Sequence, residues 1–293
     1  MCMPAITAIP HRFSVIPVLL VALLAHVSAS ADELPETIKR PELRVCADPN
    51  NLPFSNRAGE GFENELAEMV GDALGKEIRY EWHAQRRGFL RNTLNAGKCD
   101  LVMGTPHRGM LATTRSYYNS TYVFLSRADR NLTFSSMKAP ELKDLTIGVH
   151  LIGDDGANTP PAHALGEQGI VDNVEGFMIY GDYRDDSPPS ELVRAVARGD
   201  IDIAAVWGPL AGYFAARGDV PLRLVPITDT LDYMPMLFQY PIAMGVRKTD
   251  PFLKSQLNEF IYQNGEEIQA LLERYHVPLT RQMKPMVLGG GPG

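Results

Sequence analysis

The chain has 293 residues, 45% of them apolar and 22% charged, enough for one large domain or two lobes around a sizeable core. That composition excludes intrinsic disorder, collagen-like repeats and a disulfide-dense mini-protein. A formal net charge of −7, from 28 basic and 35 acidic residues, argues against a general nucleic-acid binder, which is normally basic.

The first expected element is a leader. His11 and Arg12 precede an apolar stretch from Phe13 to Val27, and Ala29-Ser30-Ala31 closes it with small residues. A basic start, a short apolar run and an A-x-A site are the plan of a secretory signal peptide over residues 1–31. The mature chain is then expected to begin near Asp32 and to be exported. The apolar run is shorter than the roughly 20 residues of a spanning helix and contains Pro17. No later stretch reads as a membrane span. Cys2 would leave with the leader, and Cys46 and Cys99 remain. An even pair in an oxidising compartment favours one disulfide, and two cysteines without a nearby histidine pair make a poor zinc site.

Leu43–Ala47 reads as a buried strand ending in the turn-rich Asp48-Pro49-Asn50-Asn51. Phe62, Leu66, Met69, Val70, Ala73 and Leu74 fall on one helical face, with Gly75 as a stop. Glu77–Trp82 is the next strand, Phe89, Leu90 and Leu94 begin a helix ending at Asn95-Ala96-Gly97, and Asp100–Gly104 is a third strand. This β-α-β-α-β order is the mark of a doubly wound sheet, and it places the first and third strands side by side. The pattern then recurs. Leu145–Val149, Phe177–Tyr180 and Ile201–Val206 read as strands, with helices over 162–166, around Leu192–Val196 up to Gly199, and over 208–216. Ile242–Val246 is a last strand, and Phe252–Tyr275 reads as one long helix. The fold class is therefore α/β. Lobe 1 is expected to comprise 32–125 and 240–293, and lobe 2 to comprise 126–239. Tyr122–Arg127 and Leu237–Ile242 would be the connectors of a clam-shell.

Several strings resemble a known family. Gly61-Phe62-Glu63…Leu66-Ala67…Leu74-Gly75, Asn95-Ala96-Gly97-Lys98-Cys99-Asp100-Leu101, Arg198-Gly199-Asp200-Ile201-Asp202 and Tyr240-Pro241-Ile242-Ala243-Met244-Gly245-Val246 resemble the type II periplasmic solute-binding proteins. Within that superfamily, Leu43–Asn56, Gln85–Gly97 and Thr113–Phe124 look like the quinoprotein-dehydrogenase-associated binding proteins of methylotrophs, the MxaJ/XoxJ group, with a slight lean to the XoxJ branch. The resemblance implies a type II periplasmic binding protein fold, two doubly wound lobes joined by two crossover strands. It also implies a periplasmic location and a non-enzymatic role assisting maturation or activation of a PQQ-dependent methanol dehydrogenase. The dehydrogenase would be the partner, with its cytochrome c as a second candidate. No cofactor of the chain's own is implied.

In such folds ligands sit where loops leave the carboxyl ends of strands. That selects Asp48, Asn51 and Phe54 after the first strand and Arg86 and Arg87 after the second. Thr105 and Arg108 follow the third, and Asp182 and Trp207 come from the second lobe. Related amino-acid receptors clamp the substrate carboxylate with an arginine after the third strand, and both Arg108 and Arg115 fall near that place. Their ammonium-binding acid usually follows the last second-lobe strand. Here that strand runs into Trp207-Gly208-Pro209, which leaves a more apolar cleft and makes an amino-acid ligand doubtful. Tyr233, Met234 and Met236 flank the return connector and suit a protein partner, whereas Met244 reads as core. Nothing resembles a G-x-S-x-G elbow, an H-E-x-x-H pair or a P-loop, and the five histidines beyond the expected leader, His83, His107, His150, His163 and His276, are scattered without ligand spacing. The chain is read as a binding protein. A receptor for a small organic or amino-acid-like solute is the alternative, with an enzyme on the same fold behind it.

Overall fold

In the computed structural model, which describes residues 36–107, 109–152, 158–179, 184, 187–280 and 286–290, short apolar runs pair into a mixed sheet with helices on both faces. The expected leader, Arg108 and Asp182 lie outside the described residues. In chain order, α1 (Glu36–Lys39) and β1 (Glu42–Ala47) are followed by the small hairpin β2 (Asn50–Asn51) and β3 (Ser55–Asn56). Then come α2 (Phe62–Leu74), β4 (Glu77–Trp82), α3 (Phe89–Asn92), β5 (Leu101–Pro106) and the long β6 (Ala112–Arg127). The chain continues through β7 (Ile147–Leu151), α4 (Pro160–Glu167), β8 (Val174–Met178), α5 (Glu191–Arg198), β9 (Ile203–Trp207) and α6 (Gly208–Arg217). It ends with β10 (Leu222–Pro226), β11 (Gln239–Val246), α7 (Pro251–Gln263), α8 (Gly265–Arg274) and β12 (Met286–Leu288). Among the described residues no helix is long and apolar enough to cross a membrane.

The sheet order is β4-β1-β5-β11-β6-β9-β7-β8, with β10 and β12 off this path. β4, β1 and β5 run parallel, as do β9, β7 and β8. β11 and β6 together join the two parallel groups, β11 pairing antiparallel with β5. The first part of β6 pairs antiparallel with β11 up to Thr121, and Tyr122–Ser126 pairs antiparallel with β9. Val123–Arg127 also pairs with β10. Two antiparallel strands thus lie between two parallel blocks, β11 pairing with β5 on one side and β6 with β9 on the other.

Alternation along these strands builds separate cores. Leu43, Val45, Met244 and Val246 point onto α2, α7 and α8, where Phe62, Leu66, Leu257 and Leu271 are buried. Farther along, Phe124, Ile203 and Ala205 face one layer with Val149 and Phe238, whereas Val123, Leu125, Ala204 and Val206 face another with Leu192 and Leu210. Strands covered on both faces read as continuous apolar runs, as parallel sheets do. Tyr118 and Tyr275 meet the Phe62 ring edge-on at centroid distances of 6.1 and 5.8 Å. A smaller core surrounds Cys46 and Cys99, which form a disulfide with a Cα–Cα distance of 5.5 Å among Phe89, Leu94, Val102 and Leu111. The expected pairing is the one present.

Several elements differ from their expected limits. The C-terminal helix breaks at Asn264, whose backbone leaves the helical region at φ −110° and ψ 26°. Its amide N–H and its side-chain NH2 both donate to the Phe260 carbonyl, and the break lets Phe260, Ile261, Ile268 and Leu271 all face the same core. α3 is a single turn, closed by Thr93 Oγ1 donating to the Phe89 carbonyl. β8 begins at Val174 because it registers against Ile147–Leu151. β6 starts ten residues ahead of the expected connector, since β11 supplies a ladder for Ala112–Thr121. β10 was not expected at all.

Candidate functional site

A cavity of about 680 Å³ opens where the loops after β1, β4 and β5 meet the ends of β7 and β9. One wall carries Asn51, Phe54, Glu63, Gln85, Gly104, Pro106 and Tyr118. The facing wall carries His150, Asn158, Thr159, His163, Trp207 and Leu210. Tyr122, Tyr240 and Ile242 lie between them, and Ile152, Pro160, Ile179, Pro235, Met236 and Leu237 complete the described lining. Among the described residues this lining has one carboxyl group, two imidazoles and neither lysine nor arginine. The described residues contain no group of three or more His, Cys, Asp or Glu side chains placed to hold a metal ion.

Asp48 is buried and shapes the wall from behind. Its carboxylate accepts from the Asn50 N–H at 2.9 Å and the Gln85 N–H at 2.6 Å, binding the loop after β1 to the loop after β4. Asn51 Nδ2 then donates to Gln85 Oε1 at 3.1 Å. Phe54 packs edge-on against Phe62 at 5.5 Å. Trp207 ends β9 half-buried, meeting Tyr122 at 5.3 Å and Tyr240 at 5.8 Å, both edge-on. These aromatic edges leave a mainly apolar concavity dotted with uncharged polar groups and one carboxyl.

Glu63 is the cavity's unexpected member. It occupies the first turn of α2, where the helix dipole ordinarily favours a carboxylate. Here burial wins, and desolvation pushes the Glu63 carboxyl up to about 8. Its position depends on two close approaches. The Glu63 N–H donates to the Phe54 carbonyl at 2.9 Å, and a Cβ on Gly61 would lie 2.0 Å from that same oxygen. A Cβ on Gly104 would lie 2.0 Å from Glu63 Oε1, so the glycine in β5 makes room for the carboxyl. Across the cavity, burial pushes His150 down to about 4. The ring is therefore neutral near pH 7, and Nε2–H donates to the Pro189 carbonyl at 3.1 Å.

Of the residues selected from sequence, Asn51, Phe54, Trp207 and Met236 line the cavity. Other expected residues lie elsewhere. Thr105 points to the opposite sheet face, against Gly245, because its neighbours Gly104 and Pro106 take the cavity face of a period-two strand. Arg115 is exposed in a different groove with Lys254, Asn258 and Tyr262, its guanidinium 5.5 Å from the Tyr262 ring. Arg86 and Arg87 are exposed on the loop after β4 and are not part of the lining. Tyr233, expected at a partner surface, is buried at 5% exposure against Phe238, 5.8 Å between centroids, because the turn before it folds the ring into the core. Met234 is 59% exposed, and Met244 is buried as expected. Arg108 and Asp182 fall outside the described residues. Glu63 and His150 escaped sequence reasoning, since an acid in a first helical turn and a lone strand histidine carry no special spacing.

The profile of the bacterial extracellular solute-binding proteins, family 3, matches residues 43–278. Protein MoxJ of Methylorubrum extorquens is 29% identical over 249 residues, 81% of this chain and 81% of that protein. The crystal structure of periplasmic binding protein XoxJ from Methylobacterium extorquens AM1 is similar at 35% identity and a TM-score of 0.66, covering 81% of this chain and 98% of XoxJ. MxaJ from Methlophaga aminisulfidivorans is similar at 27% identity and a TM-score of 0.68, covering 81% and 99%.

Proposed function

We propose a partner-directed role for this chain, which belongs to the bacterial extracellular solute-binding proteins, family 3. It acts in the periplasm as a non-enzymatic accessory of methanol oxidation, binding a PQQ-dependent methanol dehydrogenase and assisting its maturation or activation. The observation that carries this reading is the similarity to XoxJ, MoxJ and MxaJ proteins over 81–99% of their lengths. Relatives from both branches match, so the lean to XoxJ is not carried forward. The dehydrogenase's cytochrome c is the second candidate partner. Division of the chain into lobes at 125/126 and 239/240 belongs to the same proposal, as does removal of the leader over 1–31.

The cavity's chemistry supports a partner over an amino-acid ligand. An α-carboxylate is held best by a bidentate arginine, and the described lining has none. The mouth is apolar instead. Ile152 and Leu237 belong to the lining and are 39% and 44% exposed, and Leu231 and Met234 nearby in the chain are 82% and 59% exposed. Clustered exposed Met and Leu side chains mark protein-binding surfaces. Interferometry against the apo and holo methanol dehydrogenase of the same organism tests the reading. Micromolar or tighter binding, weakened at least fivefold by Met234→Asp with Leu237→Asp, is expected. No binding to either form at tens of micromolar refutes it and turns attention to a solute panel.

A further inference from the structure

The described acids other than Glu63 that are buried or drawn into the core are satisfied within the protein. Asp48 accepts two backbone N–H groups. Asp100 is ringed by Arg40, Arg44 and Arg247. Asp250 holds Thr37 Oγ1 and the Leu253 N–H, and Glu65 holds Tyr275 and Arg274. The Glu63 carboxyl has no hydrogen bond or ion pair among the described residues, yet it faces the cavity from a niche that Gly104 keeps open. An unpaired, half-buried carboxyl facing a mainly apolar cavity costs free energy that a cation entering the cavity would relieve.

We propose that this cavity is a binding site for a small hydrophobic monoamine carried as its ammonium ion, with Glu63 as the counter-ion. The walls match the rest of such a molecule. Tyr118 and Phe54 flank the carboxyl side, and Trp207, Tyr122 and Tyr240 offer ring faces and edges to an apolar body or a cation. A volume of about 680 Å³ lies within the usual range for small-molecule sites. Among the described residues the lining has no lysine or arginine to pair with a carboxylate or phosphate. The acid comes from the first turn of α2, not from the end of β9, where Trp207 stands. This inference does not depend on the dehydrogenase reading.

Binding must also move a proton. Glu63 is largely protonated at pH 7, since desolvation raises it to about 8, and an ammonium ion favours the carboxylate. The titratable groups facing it do not compete. Tyr80, Tyr117 and Tyr118 are all raised above the ordinary phenol value by burial, and Tyr117 OH already donates to the Met103 carbonyl. Across the cavity, His150 is neutral and His163 is exposed. Close to one proton is therefore released per ligand at pH 7, and affinity rises about tenfold from pH 7 to pH 9.

Calorimetry on the purified protein, with three probes sharing one ring system, tests this. The probes are tryptamine (cationic), indole (neutral) and indole-3-acetate (anionic). Tryptamine is expected to bind at least tenfold tighter than either of the others, with proton release seen as a buffer-dependent heat. Glu63→Gln should abolish the release and reduce tryptamine to the level of indole while leaving indole unchanged. Gly104→Ala, which crowds only the far end of the Glu63 side chain, should weaken tryptamine in a protein whose circular dichroism and melting match the parent. Equal affinity for indole and tryptamine, preference for indole-3-acetate, absence of tryptamine binding at millimolar concentration, or an unchanged Glu63→Gln profile would each overturn the proposal. Dehydrogenase binding is measured separately and is free to succeed or fail on its own.

Discussion

Asp100→Asn tests how the segment before β1 and the turn after β11 are held to the sheet. The Asp100 carboxylate is fully buried between β1 and β5. Its oxygens accept from Arg40 Nη2 at 2.9 Å, Arg44 Nε and Nη2 at 3.1 and 2.9 Å, the Arg44 N–H at 3.2 Å and Arg247 Nη2 at 2.8 Å. Arg247 also donates to the Cys99 carbonyl. One carboxylate thus holds the segment before β1, β1 itself and the residue following β11. Removing one partner of a buried ion cluster costs about 3–5 kcal/mol. The three arginine side chains are 24%, 29% and 22% exposed, so water screens part of their repulsion and the lower end, about 3 kcal/mol, is expected. The hydrogen bonds and charges of these arginines outweigh desolvation and hold the carboxyl far below its ordinary range. A depressed folded pKa contributes stability above the unfolded value, near 4, and loses it as pH falls. The parent should therefore lose about 1 kcal/mol more than the variant between pH 7 and pH 3. Urea unfolding followed by tryptophan fluorescence at both pH values measures this. A difference under 1 kcal/mol at pH 7, or one that does not change with pH, would refute the reasoning.

Reduction of Cys46–Cys99, or replacement of both by alanine, should destabilise the protein by about 4 kcal/mol on the loop-closure estimate for a separation of 53 residues. Melting with and without reductant checks it, and an unchanged midpoint would contradict it. Phe62→Ala should cost about 3–5 kcal/mol, because the ring is fully buried against Phe54, Tyr118 and Tyr275. Chemical unfolding reads the loss, and a cost below 1 kcal/mol would mean that the ring is not packed as described.

Elements carrying their own signal were legible. Phe62–Leu74 declares a helix by the spacing of its apolar residues, and Leu43–Ala47 a buried strand by its continuous run, because both patterns follow from backbone periods of 3.6 and 2. Cys46 and Cys99 were paired by count and compartment, and strand adjacency agreed. The first part of β6 was not legible. Thr113, Ser116, Asn119 and Ser120 have little strand-like apolarity, and only the ladder from β11, more than a hundred residues away in sequence, makes them a strand. The break at Asn264 likewise answers to the core that Phe260 and Leu271 must share.

The candidate site divides along the same line. From sequence alone came the α/β class, the loops that supply the cavity wall, and Asn51, Phe54 and Trp207 upon it, since loop position follows from strand order. Tertiary structure alone decided which side chains face inward. Strand pleating turned Thr105 away beside Gly104, the edge of the β6–β11 ladder carried Arg115 to another groove, and packing drew Tyr233 into the core. Glu63 acquires its character the same way. A glutamate in the first turn of a helix is ordinarily solvated, and this one becomes an unpaired, half-buried acid because Gly104 and the aromatic walls, brought from distant parts of the chain, close around it. Burial of that kind is a property of many strands meeting, and no local pattern encodes it.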